Sequence, residues 1–181
     1  MPERRTPTRN PVRRGFSLTE LIAVMVILSA LAFTAAPAVR SVTSARQGAM
    51  MRHVTRQLEL ARAYATATGE PTGVVYDSSA AAFRMRRIAT NSGAPVAVPS
   101  PTGGTYRDLL LGVEYPAEQV TGYTTGDGNP ANQAIWFSYE GTPEIRDADG
   151  EYVSGFTQDA VIETSGGHEI TVRMSTGSIE R

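Results

Sequence analysis

Hydrophobic patterning changes three times along the chain. From Leu21 to Val39 nineteen consecutive residues carry no formal charge. At about 1.5 Å per residue a helix of that length spans roughly 28 Å, close to the hydrocarbon thickness of a bilayer. Beyond it, Met50, Val54, Leu58, Ala61 and Ala65 recur at spacings of four, four, three and four, the stripe of an amphipathic helix. Arg56, Glu59 and Arg62 lie at i, i+3 intervals on other faces, where they can pair weakly. Gly69-Glu70-Pro71 ends this pattern, because glycine suits the C-cap and proline cannot continue a helix. One helix from Phe16 to Thr68 would be roughly 80 Å long, more than the rest of the chain can cover, so its first half requires lipid or a filament core around it.

After the helix the period shortens. Residues 72–77 and 83–88 read as a hairpin, and residues 109–113, 134–139, 160–164 and 169–174 as further strands, the last alternating Ile170, Val172 and Met174 on one face. Residues 90–105, rich in Pro, Gly, Ser and Ala, read as an extended loop. The predicted fold class is α+β, a long N-terminal helix, transmembrane in its first half, packed on an antiparallel sheet. The segments are 1–15 as a leader, 16–39 as the membrane half of the helix, 40–68 as its amphipathic half, and 69–181 as a β-rich globular domain.

Charge sharpens this division. The first fifteen residues hold five arginines against Glu3, a net of +4, and the remaining chain has a net of −5. That balance argues against a general nucleic-acid binder, and Arg84, Arg86 and Arg87 form the one compact basic cluster outside the leader. Arginines before the apolar run place the N-terminus in the cytoplasm and the bulk of the chain outside. With no cysteine, thiol catalysis, disulfides and thiolate metal sites are excluded.

The apolar run has three ordinary readings. Ala36-Pro37-Ala38 could end a secretory signal, but the run is too long for one and Glu20 stands at its edge. Arg13-Arg14-Gly15-Phe16 could open a twin-arginine signal, which usually avoids an acidic residue there. A plain anchor explains the hydrophobicity and leaves Gly15, Phe16 and Glu20 unexplained.

The block Arg13-Arg14-Gly15-Phe16-Ser17-Leu18-Thr19-Glu20-Leu21 resembles the class III signal of type IV pilins and pseudopilins. The resemblance implies cleavage between Gly15 and Phe16 by prepilin peptidase, N-methylation of Phe16, and use of the Glu20 carboxylate in assembly. Pro37 lies where many pilin helices carry a proline, which removes a backbone hydrogen bond and favours a kink. "LELARAYATATGEPTGVVYD", "AIWFSYEGTPE" and "HEITVRMSTGSIE" resemble the globular part of H-type (GspH) minor pseudopilins of type II secretion and of FimT-like minor pilins; residues 89–132 depart from them. Physical chemistry supports the implied roles. An ionised Glu20 in lipid costs about 2.5 to 3.5 kcal/mol on insertion scales, and a new amine at Phe16, protonated at neutral pH, would be its partner.

The implied protein is a minor pseudopilin of a type II secretion system, a single-pass protein of the bacterial inner membrane with a periplasmic domain. Its implied partners are prepilin peptidase, other pseudopilins or pilins in a filament, and an inner-membrane assembly platform. No cofactor and no small-molecule substrate is implied. A minor type IV pilin serving adhesion, motility or DNA uptake is the close alternative, and an exported soluble domain behind a pilin-like leader is the third.

The chain reads as a non-enzyme. His53 and His168 have no local nucleophile motif and give no metal constellation. The sequence from Asp147 to Glu151 superficially suggests a calcium loop, but Gln158 stands where an EF-hand needs glutamate, so a turn is the better reading. Residues 126–130 have turn chemistry, and Trp136 reads as sheet packing.

Overall fold

A computed structural model of the chain describes residues 17–89, 93–116, 118–128 and 133–181, with residues 34–40 described by their backbone alone. The leader, Gly15 and Phe16 lie outside the described residues. The chain divides into two compact units, Met1–Val42 and Thr43–Arg181. The expected first helix is present as α1, Leu18–Thr68.

In the first unit every described side chain of α1 from Leu18 to Phe33 is exposed, including Leu21, Ile22, Met25, Leu28 and Leu31. Among the described residues no helix is long and apolar enough to cross a membrane.

In the second unit the expected stripe is the buried face of α1. Met50, Val54, Leu58, Ala61 and Ala65 are each at most 1% exposed. The helix ends as its sequence dictates: the Gly69 amide donates to the Ala65 carbonyl at 2.9 Å, Gly69 has φ +73°, and Pro71 follows. Arg62 does not serve the expected surface pairing. Its Nε donates to the Gly141 carbonyl at 3.1 Å and its Nη2 to the Thr176 carbonyl at 2.8 Å. Those two carbonyls belong to turns that close on one another, since a Cβ at Gly177 (φ +64°) would lie 2.5 Å from the Gly141 oxygen.

Two antiparallel sheets pack with the helix. The larger contains β1 (Thr72–Asp77), β2 (Ala82–Ile88), β3 (Pro95–Ala97), β4 (Leu109–Leu110), β6 (Ala134–Phe137), β7 (Pro143–Arg146) and β8 (Tyr152–Gly155). It runs β3-β2-β1-β6-β7-β8, with β4 pairing β2. The smaller contains β5 (Val120–Thr124), β9 (Ala160–Thr164), β10 (Glu169–Val172) and β11 (Ile179–Glu180), in the order β11-β10-β9-β5. Alternation sends Val74, Tyr76, Phe83, Met85, Ile135 and Phe137 into a core shared with Ile162, Ile170 and the helix stripe. Tyr76 stacks on Tyr123 at 6.0 Å, joining the two sheets.

The structure corrects several expected boundaries. The strand expected at 109–113 stops at Leu110 and turns into α2, Leu111–Glu114. Pairing with β2 ends at Ala82, where a last bond from Leu111 N to the Ala81 carbonyl closes the ladder; Tyr115 N then bonds the Leu111 carbonyl in a local turn of helix. Part of the expected 90–105 loop is β3, an edge strand where Pro95 forfeits no ladder bond. Met174 is 47% exposed because β10 ends at Val172 and the chain turns, with Met174 N held by Asp159 Oδ1 at 2.8 Å. Strands β5, β7, β8 and β11 carry too little alternating apolar signal to stand out; in β7 the charged pair Glu144 and Arg146 occupies alternate positions.

Replacing Leu58 with alanine empties a fully buried site and should cost about 2 to 5 kcal/mol in denaturant unfolding. A second expectation concerns acid. Arg173 donates to Asp159 Oδ2 at 2.8 Å and to Glu180 Oε2 at 2.6 Å. The Met174 amide, then Arg173, holds Asp159 below the usual carboxylate range, and Arg173 does the same for Glu180. Depressed carboxylates contribute stability that is complete above their unfolded pKa, about 4, and is lost as pH falls through the folded values. Thermal midpoints should therefore drop below about pH 4, and drop less steeply in Arg173→Ala, where Glu180 loses its depression and Asp159 keeps only the part that the Met174 amide supplies.

Candidate functional site

Helix α1 begins where the sequence places the pilin-like block, and the local chemistry explains why. Ser17 is the N-cap. Its Oγ accepts from the Glu20 amide at 3.2 Å, and its own amide donates to Glu20 Oε2 at 3.4 Å. This reciprocal pair is a capping box, satisfying amides that the first turn of a helix leaves unpartnered. The Thr19 hydroxyl lies 2.9 Å from Ser17 Oγ, and the Leu21 amide bonds the Ser17 carbonyl at 3.2 Å. Glu20 also sits at the positive end of the helix dipole, where a carboxylate is favoured.

Around this cap the environment is apolar. Glu20 is the only charged residue between Leu18 and Val39. Leu18, Leu21 and Val24 beside it are 79%, 55% and 46% exposed, and Ser29 turns its hydroxyl back to the Met25 carbonyl at 2.7 Å. Among the described residues the segment thus presents exposed apolar side chains around one ionisable group, which is anchored to the helix's own first turn. Ser17 was not singled out from sequence as functional; the spacing Ser17-x-x-Glu20 ahead of an apolar run is the signal that finds it. The kink expected at Pro37 falls in the stretch described by backbone alone.

The other sequence candidates separate from this site and from one another. Arg84, Arg86 and Arg87 do not form one basic patch. Arg84 pairs with Asp77 at 3.1 Å and Asp108 at 3.3 Å, and Arg87 pairs with Glu70. Alternation puts Arg84 and Arg86 on the outer face of the larger sheet and Arg87 on the other. Asp147 Oδ1 accepts the amides of Asp149 at 3.0 Å and Glu151 at 2.8 Å, and Gly150 adopts φ +87°, the geometry of a capped turn. Among the described residues of 126–130, the Gly128 amide bonds the Thr125 carbonyl at 2.8 Å, also a turn. His53 lies on α1 near Tyr115, its Nδ1 3.4 Å from the phenol oxygen; His168 follows the Gly167 turn, its carbonyl accepting from the Thr164 amide at 3.0 Å. Among the described residues no acidic or histidine group is arranged to hold a metal. Trp136 is buried in β6 with its indole over Gly73.

Comparison with known proteins bears on the N-terminal segment. The profile of the prokaryotic N-terminal methylation motif matches residues 10–36, so the chain carries that motif around the cap just described. No curated protein matches. Among solved structures, the chain is similar to the minor pseudopilin EpsH from the Type 2 Secretion System of Vibrio cholerae, at 13% identity and a TM-score of 0.47, over 71% of this chain and 90% of that one.

If the capping box sets the helix start, Ser17→Ala should cost about 0.5 to 2 kcal/mol there. The Glu20 amide should then exchange hydrogen several-fold faster in micelles, while Ser17→Thr exchanges like the parent.

Proposed function

We propose that this chain is a minor pseudopilin of a type II secretion system, cut between Gly15 and Phe16 by prepilin peptidase and methylated on Phe16. It would remain a single-pass protein of the inner membrane, with the β-rich domain of residues 69–181 in the periplasm, until it joins a short filament that drives export. Its role is structural. It assembles with other pseudopilins on an inner-membrane platform and catalyses nothing itself.

One observation carries the reading: the methylation motif at 10–36 coincides with a helix start whose side chains are apolar and exposed from Leu18 to Phe33 except at Ser17-capped Glu20 and its polar neighbours. A cylinder of that kind has two stable environments, lipid and a packed core of similar helices. In lipid the ionised carboxylate is costly. In a filament the Phe16 amine of the same or a neighbouring subunit would neutralise it, and the pairing would fix the register of one subunit on the next in an open helical assembly.

A minor type IV pilin would share this helix. The DNA-uptake form of that alternative needs a free basic surface, and the cluster that would supply one is largely neutralised by Asp77, Asp108 and Glu70. This supports the secretion reading over a nucleic-acid role.

Mass spectrometry of membranes from the native host should find a mature terminus at Phe16 carrying one methyl group. A terminus beyond Ala38, or an uncut chain, overturns the proposal. Glu20→Ala should still be cut but should fail to assemble and secrete, because breaking a buried ion pair costs about 3 to 5 kcal/mol, more than a hundredfold in subunit affinity. Deletion that abolishes pili and leaves secretion intact would assign the chain to a pilus.

A further inference from the structure

The outer face of the larger sheet forms a trough of about 860 Å³. It crosses the strands from Pro95 on β3 to Val153 on β8, and five strand spacings of about 4.8 Å make it roughly 24 Å long. Across its middle the register aligns Ala97, Arg86, Gly73, Trp136 and Glu144 in one row. Gly73 is what lets that row close. A Cβ there would lie 2.8 Å from Trp136 Cδ2 and Cε3 and 2.6 Å from the Ile135 carbonyl oxygen, so the indole packs over the glycine just beneath the trough's surface, itself 2% exposed, and the apolar surface open to a ligand is that of Val75 and of Val153, 58% exposed at the sheet edge.

Most charges lining the trough already have partners. Asp77 accepts the Ser79 and Ala80 amides and pairs with Arg84. Arg146 donates to Glu144 and to the Gly150 carbonyl, both at 2.6 Å. Asp147 caps its own turn, and Asp127 accepts from the Thr125 hydroxyl. Arg86 stands apart: half-buried beside Gly73, it makes no ion pair with any described residue. The trough therefore offers one uncompensated guanidinium, set in apolar surface where a charge-assisted hydrogen bond is strong.

We infer that this trough binds an extended segment of a partner protein, about seven residues long at roughly 3.3 Å each, with a single carboxylate on Arg86 and apolar side chains on the Val75 and Val153 surfaces. A polyanion fits worse. A nucleic-acid strand carries a charge about every 3.4 Å, and its phosphates would meet Asp77, Asp127 and Asp147, which line the same trough. The inference stands on the sheet alone and does not require the N-terminal reading to hold.

Trp136 is the chain's only tryptophan and lies just beneath the trough's surface, so its emission senses occupancy there. The probe is an end-blocked seven-residue peptide of valines and threonines with one central glutamate, titrated into the full chain in detergent micelles, beside its glutamine twin. The glutamate peptide should change the emission saturably and bind at least about tenfold tighter than the twin, the difference expected for one charge-assisted bond. In Arg86→Gln, at the protein surface, the two peptides should bind alike. No saturable change up to about 1 mM, or equal affinity of the two peptides for the parent protein, overturns the inference without any variant having to fold. A preference for glutamate that survives in Arg86→Gln also overturns it, and saturable displacement of the peptide by an oligothymidylate would give the trough to single-stranded nucleic acid instead.

Discussion

The packing of one helical stripe against two sheets at once is the constraint on which the globular unit depends. Met50, Val54, Leu58, Ala61 and Ala65 lie on a common face and are at most 1% exposed, while Met51, Thr55 and Gln57 widen that face until it can meet both sheets. The change from methionine to alanine along it matters sterically. Short side chains at 61 and 65 let backbone approach the last turns of α1, and there Arg62 reaches the Gly141 and Thr176 carbonyls, one from a turn of each sheet. A guanidinium is suited to this because its donors are fixed in a planar fork that can reach two carbonyls at once. The Tyr76 and Tyr123 stack closes the same join from within, and burial pushes the Tyr123 phenol well up, so it stays neutral.

A different physics governs the first unit. There the helix has no stripe, and its exposed apolar residues have no covering element among the described residues. Such a helix owes its register to its ends, and the Ser17 and Glu20 box fixes the start at Leu18. The cap gives Glu20 a second meaning besides charge. Hydrogen bonding to the Ser17 amide holds the carboxylate near the start of the chain that cleavage after Gly15 would create, which is where an amine from Phe16 could meet it. Local helix chemistry and the proposed assembly chemistry thus use the same side chain.

The outer face of the larger sheet shows how a sheet sorts charges that sequence places together. Arg84, Arg86 and Arg87 are neighbours in the chain, yet pleating separates Arg87 from the other two and hands it to Glu70 at the end of α1. Arg84 is divided between the hairpin's Asp77 and the distant Asp108. Of the three, Arg86 alone makes no ion pair with a described residue, and it shares a cross-strand row with Gly73 and the buried Trp136.

How much of this was legible beforehand follows from how local each cause is. The sequence alone determined the helix over nearly its full length, its buried stripe, its stop at Gly69, the strands 72–77 and 160–164, and the presence of the N-terminal methylation motif, because these rest on spacing and on single-residue chemistry. The capping box was equally local and readable in Ser17-x-x-Glu20. Tertiary structure alone decided the second sheet, the edge strand at Pro95 and the short helix after Leu110, since weakly apolar strands form only where a neighbouring ladder offers free amides and carbonyls. It also decided the fate of the arginines, because which carboxylate a guanidinium meets is set by cross-strand register, and register is a property of the folded sheet that no window of sequence contains.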